Sequence, residues 1–445
     1  MIQRIARLFR ERGIESLLAQ GGAQSLLIQG TGALLLFLTE MLTAQLLGRQ
    51  AFGQYSMAMA WVYILALLGT LGLNQALLKL VPAYEATGEW GLLRGAIRRA
   101  NLWAGTTATL LAVIAILILW ALGSCCMDKA LVPIFLVAIA IIPVQVFSSL
   151  RQAVLRGLHR IARALAPEFI LRPILYGATL AAFALWAGTP GAVEALALYL
   201  ASTCAAFMVG AYLQHRSLPA PVTRHPATYR DREWFAVALP LLVIVGLNLI
   251  STRIDIVMLG AFSRADEVGG YAAASRVADI VVFGLAAANA VVAPIIARLH
   301  ATGGREALRR IVRRVAQGIA LFTLPVALIL ALFGKPILGL FGEGFEDGYA
   351  VLLVLLAGQM INALAGPVGY LMAMTGHQVK AMKIVALSAA SNIVLNGVLI
   401  PMHGAIGAAV ATATSVMIWN MMMLCFVRTE LDLNPSLVPV GCKKK

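Results

Sequence analysis

Long apolar runs separated by short polar segments repeat along the whole chain. The runs lack the alternation of a half-buried β-strand, so each is predicted to be a helix. About 20 apolar residues at a rise of about 1.5 Å each are enough to cross a bilayer. The predicted spans cover residues 24–47, 55–80, 101–122, 131–150, 165–187, 193–214, 235–259, 268–297, 315–334, 348–373, 384–401 and 405–427. The pattern predicts an all-α polytopic membrane protein with about twelve transmembrane helices.

The composition supports this prediction. The 445 residues are 60% hydrophobic and 12% charged, and the mean hydropathy is +0.86. Because soluble domains carry about 25% charged residues, a soluble globular enzyme and a disordered chain are both excluded. The net charge of +15 would suggest a nucleic-acid partner in a soluble protein. In a membrane protein it first reports orientation, so we expect no nucleic-acid partner.

The cations lie mostly on one side of the predicted topology. Of 35 Lys and Arg residues, 28 lie in the N-terminus, the even-numbered loops and the C-terminus. The odd-numbered loops contain Arg49, Lys129, Arg264 and Lys335. Short loops rich in Lys and Arg stay in the cytoplasm, so both termini are predicted to be cytoplasmic. The last three cations, Arg172, Arg253 and Arg276, fall within predicted spans.

A basic, proline-containing segment separates two sets of six predicted spans. We predict an N-terminal lobe at residues 1–214, a cytoplasmic linker at 215–234, a C-terminal lobe at 235–427 and a cytoplasmic tail at 428–445.

The two halves share sequence in register. Gly53-Gln54-Tyr55 corresponds to Gly269-Gly270-Tyr271, at an offset of 216 residues. The basic segment 93–99 corresponds to 308–314, at an offset of 215. Six spans per repeat is an even number, so both halves enter the membrane in the same direction. This predicts a pseudo-two-fold axis along the membrane normal, which is a transporter architecture.

Two charged residues lie deep in the eighth predicted span. Arg276 and Asp279 are spaced i,i+3 and therefore share a helix face. Charges within a membrane are costly and indicate function by default. Two interpretations remain: an ion pair that only joins helices, or a cation that faces a substrate cavity and is oriented by the aspartate.

Further polar residues lie in the first and seventh spans. Asn248, Thr252 and Asp255 form a stripe along the seventh span. Arg253 lies off that stripe and either faces a cavity or extends to the membrane interface. Glu40 either carries a coupling proton or Na⁺, or bonds a neighbouring hydroxyl.

The cytoplasmic side offers two other sites for anions. Glu168 and Arg172 are spaced i,i+4 at the start of the fifth span. Two interpretations remain: they form a local salt bridge, or Arg172 helps to capture an anionic headgroup. Residues 94–99 and 305–314 alternate arginines with apolar residues. They are predicted to be amphipathic segments lying on anionic membrane lipids.

Motifs for enzymatic chemistry are missing from the sequence. It contains no Gly-Lys-Ser/Thr phosphate-binding loop, and its six histidines and five cysteines lack metal-ligand spacing. We therefore expect no ATPase, no metal and no other cofactor. The predicted outer loops are also short for a glycosyl-transfer site.

Sequence motifs at two places resemble a known family. Residues 252–260 (TRIDIVMLG) and 267–274 (EVGGYAAA) resemble the polysaccharide-transporter branch of the MOP superfamily. This branch includes Wzx-type O-antigen and capsule flippases. The junction from Leu46 through Tyr55 is similar to the same family's first-to-second-span junction.

The resemblance implies two six-helix lobes that work by alternating access. The implied substrate is a polyprenyl-diphosphate-linked oligosaccharide, moved from the inner to the outer leaflet of a bacterial inner membrane, with polysaccharide biosynthesis proteins as possible partners. Carried onto this chain, it implies that Arg276 and Arg253 hold the diphosphate and that Asp255 and Asp279 orient them. The first span offers Glu40 where a lipid II flippase is expected to have an Arg-Asp pair.

Three other functions agree less well with the sequence than a flippase does. A MATE-like multidrug or cation antiporter predicts a cavity dominated by carboxylates and aromatics, whereas these spans contain as many arginines as acids. A membrane-embedded glycosyltransferase or polymerase disagrees with the short outer loops. A scaffold without transport activity would not need Arg276 and Asp279 within the membrane.

Overall fold

The structure is a computed structural model that describes residues 2–125, 128–286, 288, 289, 292, 296, 299, 305–431, 433 and 435; side chains are described from residue 27 onward, except 122, 124, 125 and 305. All regular elements in these ranges are helical. The helices are α1 Ile2–Gly69, α2 Leu73–Thr87, α3 Trp90–Cys125, α4 Leu131–Gly157, α5 Ile161–Ala166, α6 Arg172–Ala187, α7 Ala192–Ser217, α8 Ala220–Arg224, α9 Asp231–Phe262, α10 Ala265–Asp279, α11 Arg305–Gly339, α12 Tyr349–Ala365, α13 Val368–Met374 and α14 Gln378–Glu430.

Ten helical segments of the described chain are long and apolar enough to cross a membrane. Two of them join neighbouring predicted spans across a glycine: α1 breaks at Gly48 (φ 72°) and α14 at Gly404 (φ 55°). Both glycines adopt left-handed φ values, which a residue with a Cβ adopts only with strain. The all-α class is confirmed, while the count of twelve spans stays a prediction.

The chain divides into two compact units that interleave along the sequence. The first contains Met1–Glu40 and Val62–Val243, and the second contains Met41–Trp61 and Ile244–Lys445. The predicted lobes at 1–214 and 235–427 divide the sequence once, whereas these units each take a piece of α1 and of α9. The lobe bounds remain a prediction, and the tail beyond residue 435 lies outside the described residues.

In the first unit, the predicted linker is packed along α3. The Thr228 amide donates to the carbonyl of Gly91 at 3.0 Å, and a methyl group on Gly95 would collide with the Thr228 carbonyl. Arg99 pairs with Asp231 at 3.4 Å. These contacts fasten the segment to helices of its own unit, so the part around Thr228 is not a free tether.

In the second unit, the repeated Gly-x-Tyr motifs meet. A methyl group on Gly53 would collide with the Ala265 carbonyl and lie 2.8 Å from the Gly269 nitrogen. Arg49 donates to the carbonyls of Asp266 and Gly344, both at 2.8 Å. The motif that marked the repeat is therefore also a point where two helix backbones touch, which requires glycine.

The apolar sides of the two basic segments face protein. Leu93 and Ala96 in the first unit, and Leu308 and Val312 in the second, are at most 3% exposed. Leu308 and Val312 belong to a core cluster with Leu371 and Val427. The prediction that these apolar sides lie in the membrane surface is wrong, because α3 and α11 pack them against neighbouring helices of the same unit. Contact between the exposed arginines and anionic lipids stays a prediction.

Candidate functional site

The eighth predicted span places Arg276 and Asp279 on one face of α10, as their spacing predicts. Arg276 Nη1 lies 3.9 Å from Asp279 Oδ2, and the two side chains are 26% and 51% exposed. Gln359 Nε2 of α12 donates to Asp279 Oδ1 at 3.3 Å. The pair is thus neither sealed in the core nor isolated, and it is connected to a neighbouring helix.

Within the second unit, a row of side-chain amides continues from Gln359. Asn362 Nδ2 donates to Gln359 Oε1 at 3.4 Å, and Asn420 Nδ2 donates to Asn362 Oδ1 at 3.1 Å. Asn420 is 1% exposed and lies on α14, which packs against α12. Buried amides need such partners because an unpaired polar group costs about 1–3 kcal/mol.

Asp255 lies in a separate, buried group. Its side chain accepts hydrogen bonds from the hydroxyl of Tyr271 and, at 3.4 Å, from Thr412. Its other oxygen accepts the backbone amide of Ile256 at 2.8 Å. The residue is 4% exposed. Sequence reasoning missed Tyr271 and Thr412 as partners, since neither shares a helix face with Asp255.

The predicted polar stripe on α9 does not act as one group. Asn248 is exposed, and its amide donates to the Ile244 carbonyl of the same helix at 2.9 Å. Thr252, also exposed, bonds the Leu249 carbonyl at 3.0 Å. Only Asp255 points into the core, while Arg253 is half-buried. The structure therefore separates residues that a simple helical repeat had grouped.

Glu40 is half-buried in α1. Its neighbour Thr39 donates to the Leu35 carbonyl at 2.9 Å, and Thr43 is fully buried. Within the described part of the chain, no three His, Cys, Asp or Glu side chains converge as a metal site would require. The role of Glu40 in coupling stays a prediction.

The first unit contains a buried cluster of three charges. Glu168 lies in a π-helical turn, Pro167–Leu171. It pairs with Arg151 at 2.9 Å through one oxygen and with Arg172 at 3.2 Å through the other. Arg172 also donates to Gln145 at 3.4 Å and lies 5.3 Å from the ring centre of Tyr199. The local salt bridge between Glu168 and Arg172 is present, as one of the two interpretations predicts.

Arg151 is the residue of this cluster that the sequence pattern misplaces. Its position after the apolar run 131–150 put it among the 28 cytoplasmic loop cations. Helix α4 continues to Gly157, and the Arg151 side chain is 2% exposed. Arg151 therefore lies within a helix and not in a loop, because helix ends follow packing rather than hydropathy. Its cytoplasmic side stays a prediction. No local signal identifies Arg151, since its partner lies 17 residues away.

Comparisons with protein families agree with this architecture. The model of the "Polysaccharide biosynthesis protein" family matches residues 18–300, more than half of the chain. The MatE family model matches residues 240–398.

Two curated relatives come from Haloferax volcanii. The chain is 25% identical to the "Probable low-salt glycan biosynthesis flippase Agl15" over 162 residues, which are 36% of this chain and 34% of that protein. It is 26% identical to the "Probable flippase AglR" over 191 residues, 42% of this chain and 40% of that protein. The matches thus span between a third and two fifths of these relatives.

Solved structures share the fold at low identity. An inward-facing MATE multidrug transporter of the MOP superfamily superposes with a TM-score of 0.75 at 14% identity, over 92% of this chain and 98% of the other. The lipid II flippase MurJ superposes with a TM-score of 0.71 at 12% identity, over 91% and 87%. Because the family model covers well over half of the chain and the fold is that of the MOP superfamily, this multi-pass membrane protein belongs to the polysaccharide biosynthesis protein family.

Proposed function

We propose that this protein is a flippase that moves a polyprenyl-diphosphate-linked oligosaccharide from the inner to the outer leaflet of a bacterial inner membrane by alternating access. The product would serve the assembly of O-antigen, capsule or exopolysaccharide. The proposal makes the protein a transporter rather than an enzyme. The two curated relatives, both named as flippases, support it.

The observation that carries the proposal is the Arg276–Asp279 pair in α10. Both residues lie in the helical segment Ala265–Ala286, which is long and apolar enough to span a membrane, within the region matched by the family model. A diphosphate cannot cross hydrocarbon alone, and an arginine can bind phosphate oxygens with two parallel hydrogen bonds. We propose Arg276 as the main diphosphate contact in the second unit, with Asp279 orienting it.

The remaining candidate residues have other roles in this proposal. In the second unit, Arg253 is a further diphosphate contact, and the exposed amide of Asn248 is suited to a sugar hydroxyl. Asp255 is a positioning residue because it is buried against Tyr271 and Thr412. In the first unit, Arg172 is a candidate anion contact and Glu40 a candidate for the coupling ion.

The test is to delete the gene and measure where polyprenyl-linked sugars accumulate. The proposal expects accumulation on the inner leaflet, with rescue by the wild-type gene and not by an Arg276→Ala variant that is expressed at the same level. Unchanged lipid pools together with increased drug sensitivity would instead support a MATE-like exporter of cationic compounds and reject the flippase.

A further inference from the structure

A directional row of side-chain amides ends at the aspartate of the charged pair. Asn420 donates to Asn362 at 3.1 Å, Asn362 to Gln359 at 3.4 Å, and Gln359 to Asp279 at 3.3 Å. The row begins at a buried residue on α14, crosses two residues on α12, and ends on α10. It therefore connects three helices of the second unit to one carboxylate.

The charge of Asp279 sets the direction of this row. An ionised carboxylate only accepts hydrogen bonds, so Gln359 must present its NH₂ group to Asp279. Its carbonyl oxygen then faces Asn362 and needs a donor, and Asn362 in turn needs a donor from Asn420. Only one orientation of each of the three amides allows every hydrogen bond in the row to pair a donor with an acceptor. The orientation of each amide therefore depends on the other two.

The same row bears on Arg276. Its Nη1 lies 3.9 Å from Asp279 Oδ2, longer than the about 2.7–2.9 Å of a charge-assisted hydrogen bond. The spacing on α10 alone therefore does not hold Asp279 tightly against the arginine. Gln359 occupies the other oxygen, Oδ1, and so restricts the rotation that would turn Oδ2 away from Arg276.

A second amide group on α14 provides a comparison. Asn392 is fully buried, donates to the hydroxyl of Ser415 at 3.1 Å and accepts from Asn396 at 3.0 Å. Its hydrogen-bond partners are neutral, and the described contacts do not link it to Arg276 or Asp279. Two asparagines on one helix thus have equal burial and different connections.

We propose that Gln359 is a positioning residue for the Arg276–Asp279 pair, and that Asn362 and Asn420 hold its amide in the required orientation. This inference rests on the function proposed above, since it assumes that Arg276 binds a diphosphate. If the inference holds, the affinity for the diphosphate headgroup depends on Asn420, a buried residue on α14, although Arg276 and Asp279 lie on α10.

The test is equilibrium binding of a dansyl-labelled polyprenyl diphosphate to purified full-length protein in nanodiscs, with the labelled polyprenyl alcohol as the probe that lacks phosphate. Gln359→Leu is expected to weaken diphosphate binding at least about tenfold, as for one lost hydrogen bond to a charged group. Asn420→Leu removes a hydrogen bond between neutral amides and is expected to weaken it about fivefold. Asn392→Leu is the matched control: we expect it to lower thermal stability as Asn420→Leu does, with affinity within about twofold of wild type.

A charge exchange separates positioning from packing. Gln359→Glu alone places a second carboxylate against Asp279 and is expected to weaken binding more than Gln359→Leu does. Adding Asp279→Asn restores a donor and an acceptor at the contact, so the double variant is expected to recover part of the affinity. Gln359 is half-buried, so its variants are expected to fold even if Asn420→Leu does not.

Each outcome has one meaning. Two results would overturn the positioning role: wild-type affinity in Gln359→Leu, or equal losses of affinity in Asn392→Leu and Asn420→Leu. Either result leaves the proposed function in place if Arg276→Ala still abolishes diphosphate binding. Equal binding of the diphosphate and the alcohol by wild type would instead reject the diphosphate substrate, and with it the function proposed above.

Discussion

The two units contain charged residues of the same kinds in very different settings. In the first, Glu168 and its two arginines are 2–10% exposed and paired at 2.9 and 3.2 Å. In the second, Arg276 and Asp279 are 26% and 51% exposed and 3.9 Å apart. A buried charge costs several kcal/mol unless it is paired, whereas a partly exposed one retains other partners. The first cluster is therefore a buried ion-pair group, whereas the second pair is partly exposed and more widely spaced, as the proposed contact with a ligand requires.

Substitutions in the two groups are expected to affect different properties of the protein. Changes in the first cluster are expected to appear mainly as lost stability, because its two arginines share one buried carboxylate. Changes in the second pair are expected to appear mainly as lost transport. Free energies of unfolding in mixed micelles and transport rates in reconstituted vesicles measure the two effects separately.

The largest effect on stability is expected from Glu168→Gln. The change leaves the buried guanidinium groups of Arg151 and Arg172 without their shared carboxylate, so the free energy of unfolding should fall by about 3–5 kcal/mol. Glu233→Gln is the control, because its pair with Arg230 is exposed and should contribute less than about 1 kcal/mol. Equal, small effects of both changes would contradict the closed-cluster interpretation.

The two arginines of the cluster should differ. Arg151→Met is expected to cost about 1 kcal/mol more than Arg172→Met, because Arg151 is the more buried and the more closely paired partner. The free energy of unfolding of each variant measures this difference. If Arg172→Met instead abolishes transport with little loss of stability, Arg172 belongs with the ligand-binding residues and the contrast between the units weakens.

A smaller loss of stability is expected from Tyr271→Phe. The change removes a hydroxyl that donates to the buried Asp255, which should lower the free energy of unfolding by about 1–3 kcal/mol. Tyr370→Phe serves as the control because that side chain is 44% exposed. A stability unchanged by Tyr271→Phe would show that Asp255 does not depend on this donor.

The smallest effect on stability is expected from Arg276→Ala. Because the pair is partly exposed and loosely spaced, the free energy of unfolding should change by no more than about 0.5 kcal/mol. Transport should fall at least about tenfold, as for lost hydrogen bonds to a charged diphosphate. Arg276→Lys should restore part of the transport, since it keeps the charge and loses the bidentate geometry. Arg264→Ala, at an 88% exposed side chain, is the control. Normal transport by a folded Arg276→Ala protein would remove Arg276 from the site.

Local sequence spacing was sufficient for some features of the candidate site. The apolar runs predicted the all-α membrane class, and the i,i+3 spacing correctly put Arg276 and Asp279 on one face of α10. The i,i+4 spacing likewise predicted the salt bridge between Glu168 and Arg172. These features depend on residues within one or two turns, and helical geometry alone determines their proximity.

Other features needed the packed helices. Asp255 meets Thr412 across 157 residues of sequence, and Asn420 meets Asn362 across 58. The sequence pattern places Arg151 in a loop, whereas α4 continues past it to Gly157 and its side chain is buried. The segment around Thr228, predicted as a linker, is fastened to α3. No sequence period or motif predicts these contacts, because each depends on which helices become neighbours.

The sequence by itself therefore determined the helical membrane class, the repeated motifs and the charged residues worth testing. Hydropathy and helical period are properties of neighbouring residues, so they can be read along the chain. The tertiary structure alone decided which of those charges are closed in a buried cluster and which remain accessible. That distinction depends on burial and on partners from distant helices, and these exist only once the helices pack.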